Sequence, residues 1–120
     1  MAYSWLDGDP AAQKDYDSAM TAYRLDPQDS HNAYNVGVAL VRLERYQEAI
    51  DMFRTAVSLD HTSAYSYQSL GVAYEYLKQY QNAKESFIQA IDFYKKQNVN
   101  GKYDHFITDL EKSISTMPVN

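Results

Sequence analysis

Ser30–Leu59, SHNAYNVGVALVRLERYQEAIDMFRTAVSL, and Ala64–Phe93, AYSYQSLGVAYEYLKQYQNAKESFIQAIDF, are one pattern written twice at a spacing of 34 residues. Laid over each other, they match Gly37 with Gly71, Val38 with Val72, Ala39 with Ala73, Leu43 with Leu77, Tyr46 with Tyr80, Gln47 with Gln81, Ala49 with Ala83, Phe53 with Phe87 and Ala56 with Ala90. Nine identities at one offset exceed the roughly two that unrelated segments of this composition would share. The chain therefore repeats one supersecondary unit.

That unit is two helices. Ala33, Val36, Leu40 and Leu43 recur at three and four residues, the period of one helix face. Glu44 and Arg45 then make a short connection, and Tyr46, Ala49, Ile50, Phe53, Ala56 and Val57 trace a second stripe. The small residues Gly37, Ala39, Ala49 and Ala56 let two antiparallel backbones approach, and Phe53 fills the gap between them. Asp60–Ser63 closes the hairpin, with Thr62 or Ser63 as the next cap. The next stripes are Tyr67, Leu70, Tyr74, Leu77 and then Tyr80, Ala83, Phe87, Ala90, Ile91, extended by Phe93 and Tyr94.

Upstream, Asp9 is placed to cap a helix opening at Pro10 and running to about Leu25. Tyr16, Ala19 and Tyr23 there have the spacing of Tyr46, Ala49, Phe53, although counting back from Asp26-Pro27 puts the motif one helical turn away. The reading is a first repeat (1–29) whose first helix is shortened or missing. Pro27 ends that helix, and Asp29 or Ser30 caps the next. Downstream, Asn100-Gly101 is a turn dipeptide, and Tyr103, Phe106, Ile107, Leu110, Ile114 and Met117 share one face of a last, amphipathic helix over 102–117. The second repeat spans 30–63 and the third 64–97.

Composition narrows the function. At 120 residues the chain is one unit, too small for a catalytic domain beside a repeat array. Its formal charge is −5, with six Asp against Lys14 and Arg24 in Met1–Ser30. That balance argues against a nucleic-acid surface, which needs clustered Lys and Arg. The longest apolar run, Val36–Val41, falls far short of the roughly 20 residues of a membrane span. No Cys is present, which suits a cytoplasmic protein and is compatible with the periplasm. Met1–Asp9 carries no basic start followed by an apolar core, so no signal peptide is read there.

With these residues in place the chain resembles the tetratricopeptide repeat family. Tyr67, Leu70, Gly71, Tyr74, Ala83, Phe87 and Ala90 match that family's pattern, as do Gly37, Leu40, Tyr46, Ala49, Phe53 and Ala56. Two departures stand out: His61 and Lys95 replace the closing Pro, and Ala33 replaces the first aromatic. The resemblance implies an all-α, right-handed superhelical array of antiparallel helix pairs with a C-terminal capping helix. It also implies a groove, lined by the first helix of each pair, that holds a peptide or helix of a partner protein.

Once packing residues are assigned, the face of each first helix left over for the groove reads His31, Tyr34, Asn35, Val38, Val41, Arg42 in one repeat and Tyr65, Gln68, Ser69, Val72, Glu75, Tyr76 in the next. Tyr offers broad apolar area and a hydroxyl at small entropy cost, which suits a peptide wall. Alternatively these rings cover helix–helix seams. Family members that grip a chaperone's C-terminal carboxylate do so with Lys and Arg near an Asn; Asn35 could stand for that Asn, but Tyr65 and Ser69 occupy the places of the bases, so that clamp is not expected. Asn35 equally suits a bond to a ligand backbone or a neighbouring helix.

No catalytic, metal or cofactor site is expected. His31, His61 and His105 lie in different elements, and no two His have the spacing of paired ligands on a helix. No thiol can act as nucleophile, and the four Gly sit singly, leaving no phosphate-cradling loop. Glu44, Glu48 and Asp51 are spaced as a solvated face. The expected function is a non-catalytic adaptor, scaffold or assembly cofactor. The alternatives are a homo-oligomer through an N-terminal edge bearing Tyr3, Trp5 and Leu6, or a fragment of a longer repeat protein.

Overall fold

Every segment read above as helical is a helix within residues 10–118, the part of the chain that the computed structural model describes. The order is α1 (Pro10–Leu25), α2 (Ser30–Arg42), α3 (Tyr46–Leu59), α4 (Ala64–Tyr76), α5 (Tyr80–Gln97) and α6 (Asp104–Thr116). They fall into two compact units, Met1–Asp60 and His61–Asn120. In the first, α1 packs on α2 and α2 on α3; in the second, α4 packs on α5 and α5 on α6. Asp9, Tyr3, Trp5 and Leu6, to which the sequence assigns a cap and an edge, lie outside the described residues.

The ends of the helices are set by local chemistry. Asp29 caps α2, its carboxylate accepting from the His31 amide at 2.9 Å. Both hairpins turn on the same device. Glu44 (φ 59) and Lys78 (φ 60) are left-handed, which lets the Arg45 amide reach back to the Leu40 carbonyl and the Gln79 amide to the Tyr74 carbonyl, each at 2.9 Å. The amides of Glu44 and Lys78 bond to Val41 and Glu75, also at 2.9 Å. This double closure satisfies carbonyls that a helix end leaves open, and it is usually built on Gly.

Three expectations change. Ser63 occupies the start of α4, but its hydroxyl donates to the buried Ser66 hydroxyl (2.8 Å) instead of accepting from an amide; the Ser63 carbonyl takes the amides of Ser66 and Tyr67. The last helix begins at Asp104, not 102: Gly101–Tyr103 form a turn after the left-handed Asn100 (φ 55) and Gly101 (φ 75), and Tyr103 is the cap whose carbonyl takes the Ile107 amide. Asn98 holds that turn, accepting from the Tyr103 amide and donating to the Asp104 carboxylate, both at 2.7 Å.

The third concerns α1. It stops at Leu25 before Asp26, as α3 stops at Leu59 before Asp60. Aligned on those ends, Asp17, Thr21, Ala22, Leu25 and Asp26 match Asp51, Thr55, Ala56, Leu59 and Asp60. Thr21 and Thr55 even make the same bond, to the carbonyls of Asp17 and Asp51. The repeat therefore keeps its 34-residue register in α1, and Ala19 stands at the position of Phe53 and Phe87. The Tyr16, Ala19, Tyr23 spacing misleads because several periodicities coexist on one helix. None of those three is buried, whereas Ala49 and Phe53 are.

Phe53 and Phe87 are the largest of the fully buried side chains among the described residues, at 1 % and 2 % exposure. Each ring lies against a glycine of the preceding helix: a Cβ on Gly37 would sit 2.6 Å from Phe53, and one on Gly71 2.5 Å from Phe87. In the second unit Ile107, Leu110 and Met117 of the C-terminal segment join Phe87, Ala90, Ile91 and Tyr94 in one core. The amphipathic face of α6 is thus a seal on α5.

Candidate functional site

The candidate residues come from α2 and α4, and none of the twelve is buried. The reason is geometric. Ala33, Val36, Gly37 and Leu40 turn one face of α2 inward, as Ser66, Leu70, Gly71 and Ala73 do on α4, which leaves the remaining arc of each helix outside.

On α2, His31 is exposed and stacks on Tyr34, ring centroids 6.2 Å apart. Tyr34 in turn tilts against Phe53 at 5.7 Å, so this half-buried ring also roofs the interior. Asn35, Val38 and Arg42 line a hollow of about 400 Å³ whose other wall is Asp15, Ser18, Ala19 and Ala22 of α1. Arg42 makes an ion pair with Asp15 across its mouth. Val41 is half-buried, its carbonyl engaged by the Glu44 amide.

On α4 the residues divide differently. Tyr65 and Tyr76 are 40 % and 58 % exposed. Gln68 accepts a bond from the Tyr94 hydroxyl at 2.6 Å, which ties α4 to α5. Val72 packs against the core of its unit. Ser69 and Glu75 are half-buried. Both readings of the tyrosines therefore apply, to different rings: Tyr34, Tyr67 and Tyr94 cover seams, while Tyr65 and Tyr76 face outward. Sequence reasoning did not single out the α1 wall of the hollow or the Gln68–Tyr94 bond. The wall had a signal, since Asp15, Ser18, Ala19 and Ala22 are small or short and share one helix face; the bond, 26 residues apart, had none.

Several charged side chains elsewhere in the two units are paired. Arg45 bonds Glu48 at 2.5 and 2.8 Å and lies 5.2 Å over the Tyr16 ring. That hydrogen bonding holds the Glu48 carboxyl below its ordinary range and lifts the guanidinium further above its own. His105 meets Asp109 at 3.1 Å. Among the described residues no group of three His, Asp or Glu stands close enough to hold a metal ion.

The helix pairs, the glycine under each phenylalanine and the 34-residue register agree with a match between residues 29–96 and the tetratricopeptide repeat family model. The chain belongs to the tetratricopeptide repeat family. No curated protein sequence matches it significantly. Solved structures with the same fold include the type III secretion translocator chaperone SycD of Yersinia enterocolitica, at TM-score 0.82 and 10 % identity, covering 95 % of this chain and 75 % of that one. The pHsp70 complex of the TPR2B domain of yeast Sti1 gives 0.73 and 21 %, with 90 % and 96 % covered. The first TPR of Spaghetti (RPAP3), bound to the HSP90 peptide SRMEEVD, gives 0.71 and 17 %, with 88 % and 82 % covered. At these identities the likeness is one of fold. The tetratricopeptide repeat is a protein-interaction fold and generally a non-catalytic one. None of the described helices is long and apolar enough to cross a membrane.

Proposed function

We propose that this tetratricopeptide repeat protein is a non-catalytic adaptor or assembly cofactor that binds a peptide or helix of a partner protein on the outer faces of α2 and α4. The observation that carries this reading is the exposure of Tyr76 and Tyr65 on a first helix that buries Ser66, Leu70, Gly71 and Ala73 on its other face. Large rings left at a surface bind when a partner desolvates them, and Tyr is among the residues that dominate such contacts. His31, Tyr34 and Asn35 extend the same chemistry on α2.

The partner differs in chemistry from the acidic peptide SRMEEVD carried by the Spaghetti neighbour. On α4 the exposed positions are Tyr65 and Tyr76 and the half-buried Ser69 lies between them in sequence, none of them cationic, and Arg42 on α2 is already paired with Asp15. An aromatic and amide-rich face favours a peptide of mixed polar and apolar side chains over one read through a carboxylate.

The test is affinity capture from native extract with the wild-type chain beside the Tyr34→Ala, Tyr76→Ala double variant. Partners retained by the first and lost from the second, at unchanged helicity, are the expected result. Equal capture by both removes the assignment.

A further inference from the structure

Between α4 and α5 lies a hollow of about 330 Å³, lined by Tyr67, Leu70 and Tyr74 of the first helix and by Asn82, Glu85, Ser86 and Gln89 of the second. Pockets that take small ligands begin at about 300 Å³. Leu70 and Ser86 are buried, Tyr67 and Tyr74 half-buried, and Asn82, Glu85 and Gln89 exposed. The core that α5 shares with α6 is built on Phe87, Ala90, Ile91 and Tyr94, which occupy another side of α5. The helix pair does not itself require this lining. In the second repeat, at the same 34-residue register, Ala33, Leu40 and Met52 stand where the third has Tyr67, Tyr74 and Ser86. Two rings with hydroxyls thus replace aliphatic side chains, and a short serine replaces methionine.

The charge of the hollow names what it would take. Glu85 is the one charged group in its lining, and among the described residues its carboxylate accepts only from the Gln81 side-chain amide, at 3.3 Å. Glu48, Asp92 and Glu111, by contrast, each meet a cation. Asn82 donates its side-chain amide to Gln79 at 3.1 Å, which leaves its carbonyl oxygen for a donor. The Tyr67 ring is fixed by stacking on Phe93, centroids 5.5 Å apart. Aromatic surface, an anion without a cation and amide acceptors together suit a flat cation with several N–H groups. A guanidinium stacks on rings and forks onto a carboxylate, whereas an ammonium is a compact, strongly hydrated point charge. We propose that this hollow receives an arginine side chain of a partner segment, its guanidinium against Tyr67 and Tyr74 and bonded to the Glu85 carboxylate.

This site goes beyond the partner-binding reading given above. Tyr65 and Tyr76 each stand two residues from a lining tyrosine, Tyr67 or Tyr74, which is about 200° around the helix. They therefore belong to the far side of α4, and the two sites stand or fall separately.

An NMR titration of the full chain decides it, with acetyl-Gly-Arg-Gly-amide as the probe and the tripeptide carrying citrulline, a neutral group of nearly the same shape, as its counterpart. The arginine tripeptide is expected to shift the backbone amides of Tyr74, Asn82, Glu85, Ser86 and Gln89 saturably, and the citrulline tripeptide to bind about fivefold more weakly. Glu85→Gln, a change at an exposed position, is expected to keep the far-UV circular dichroism of the wild type, to weaken the arginine probe about fivefold and to abolish the preference over citrulline. Tyr34→Ala, Tyr76→Ala is expected to leave the titration unchanged. Absence of saturable shifts at these amides, equal affinity for the two tripeptides, or equal affinity of wild type and Glu85→Gln for the arginine probe overturns the proposal. A lysine tripeptide that binds as well as the arginine one overturns the choice of a guanidinium.

Discussion

Gly71 and Phe87, like Gly37 and Phe53, leave no room for a Cβ between them, and the surroundings of the two glycines differ in one atom. Around Gly37 the nearest obstacles are all Phe53 ring atoms, 2.6–2.9 Å from an added Cβ; around Gly71 the Ala83 carbonyl also stands at 3.2 Å. A ring can tilt within a core, whereas a helix carbonyl cannot move without its hydrogen bond. Gly37→Ala and Gly71→Ala should therefore each destabilise by about 1–3 kcal/mol from overpacking, which outweighs the roughly 1 kcal/mol that Ala gains over Gly in a helix. Gly71→Ala should be the worse of the two. Urea unfolding of both variants checks this, and a stability at or above wild type in either would show that the fit is looser than described.

The helix ends make the next scale predictable. Glu44 and Lys78 hold left-handed conformations that cost an L-residue about 1 kcal/mol and glycine almost nothing. Glu44→Gly and Lys78→Gly should each raise stability by about 0.5–1 kcal/mol, while Lys78→Val should lower it, as thermal melts would show. At the start of α3, Glu48 is held below its ordinary range mainly by the Arg45 hydrogen bonds. A depressed carboxyl stabilises the fold above its unfolded pKa, near about 4.3, and loses that contribution as pH falls through its folded value. Because both side chains are about half exposed, the effect is small. Glu48→Gln should melt slightly below wild type at pH 7 in low salt and together with it at pH 2 or in 1 M salt; a difference that persists in acid would mean the pair is not its source.

At the scale of the whole molecule, α6 turns a repeat array into a closed C-terminal unit. Leu110 is 4 % exposed and shares its core with Ile91 and Tyr94, so Leu110→Ala should cost about 2–5 kcal/mol, read as a lower urea midpoint. An unchanged midpoint would show that α6 does not seal α5. What the sequence determined by itself is the all-α repeat: helix periods, a cap at Asp29 or Ser30 and the short hairpin connections are written within one or two turns of chain, where local sterics and hydrogen bonding act, and the repeat itself sets Phe53 and Phe87 against the small residues of the helix before them. On α2 and on α4, each taken by itself, the row of residues left after packing is unburied, as the helix period suggests. Tertiary structure alone decided which members of that row are occupied. Tyr34 is drawn onto Phe53, and Gln68 is bound by Tyr94 from 26 residues away. Burial is a property of neighbours distant in sequence, and a single helix face cannot record which of its residues those neighbours will cover.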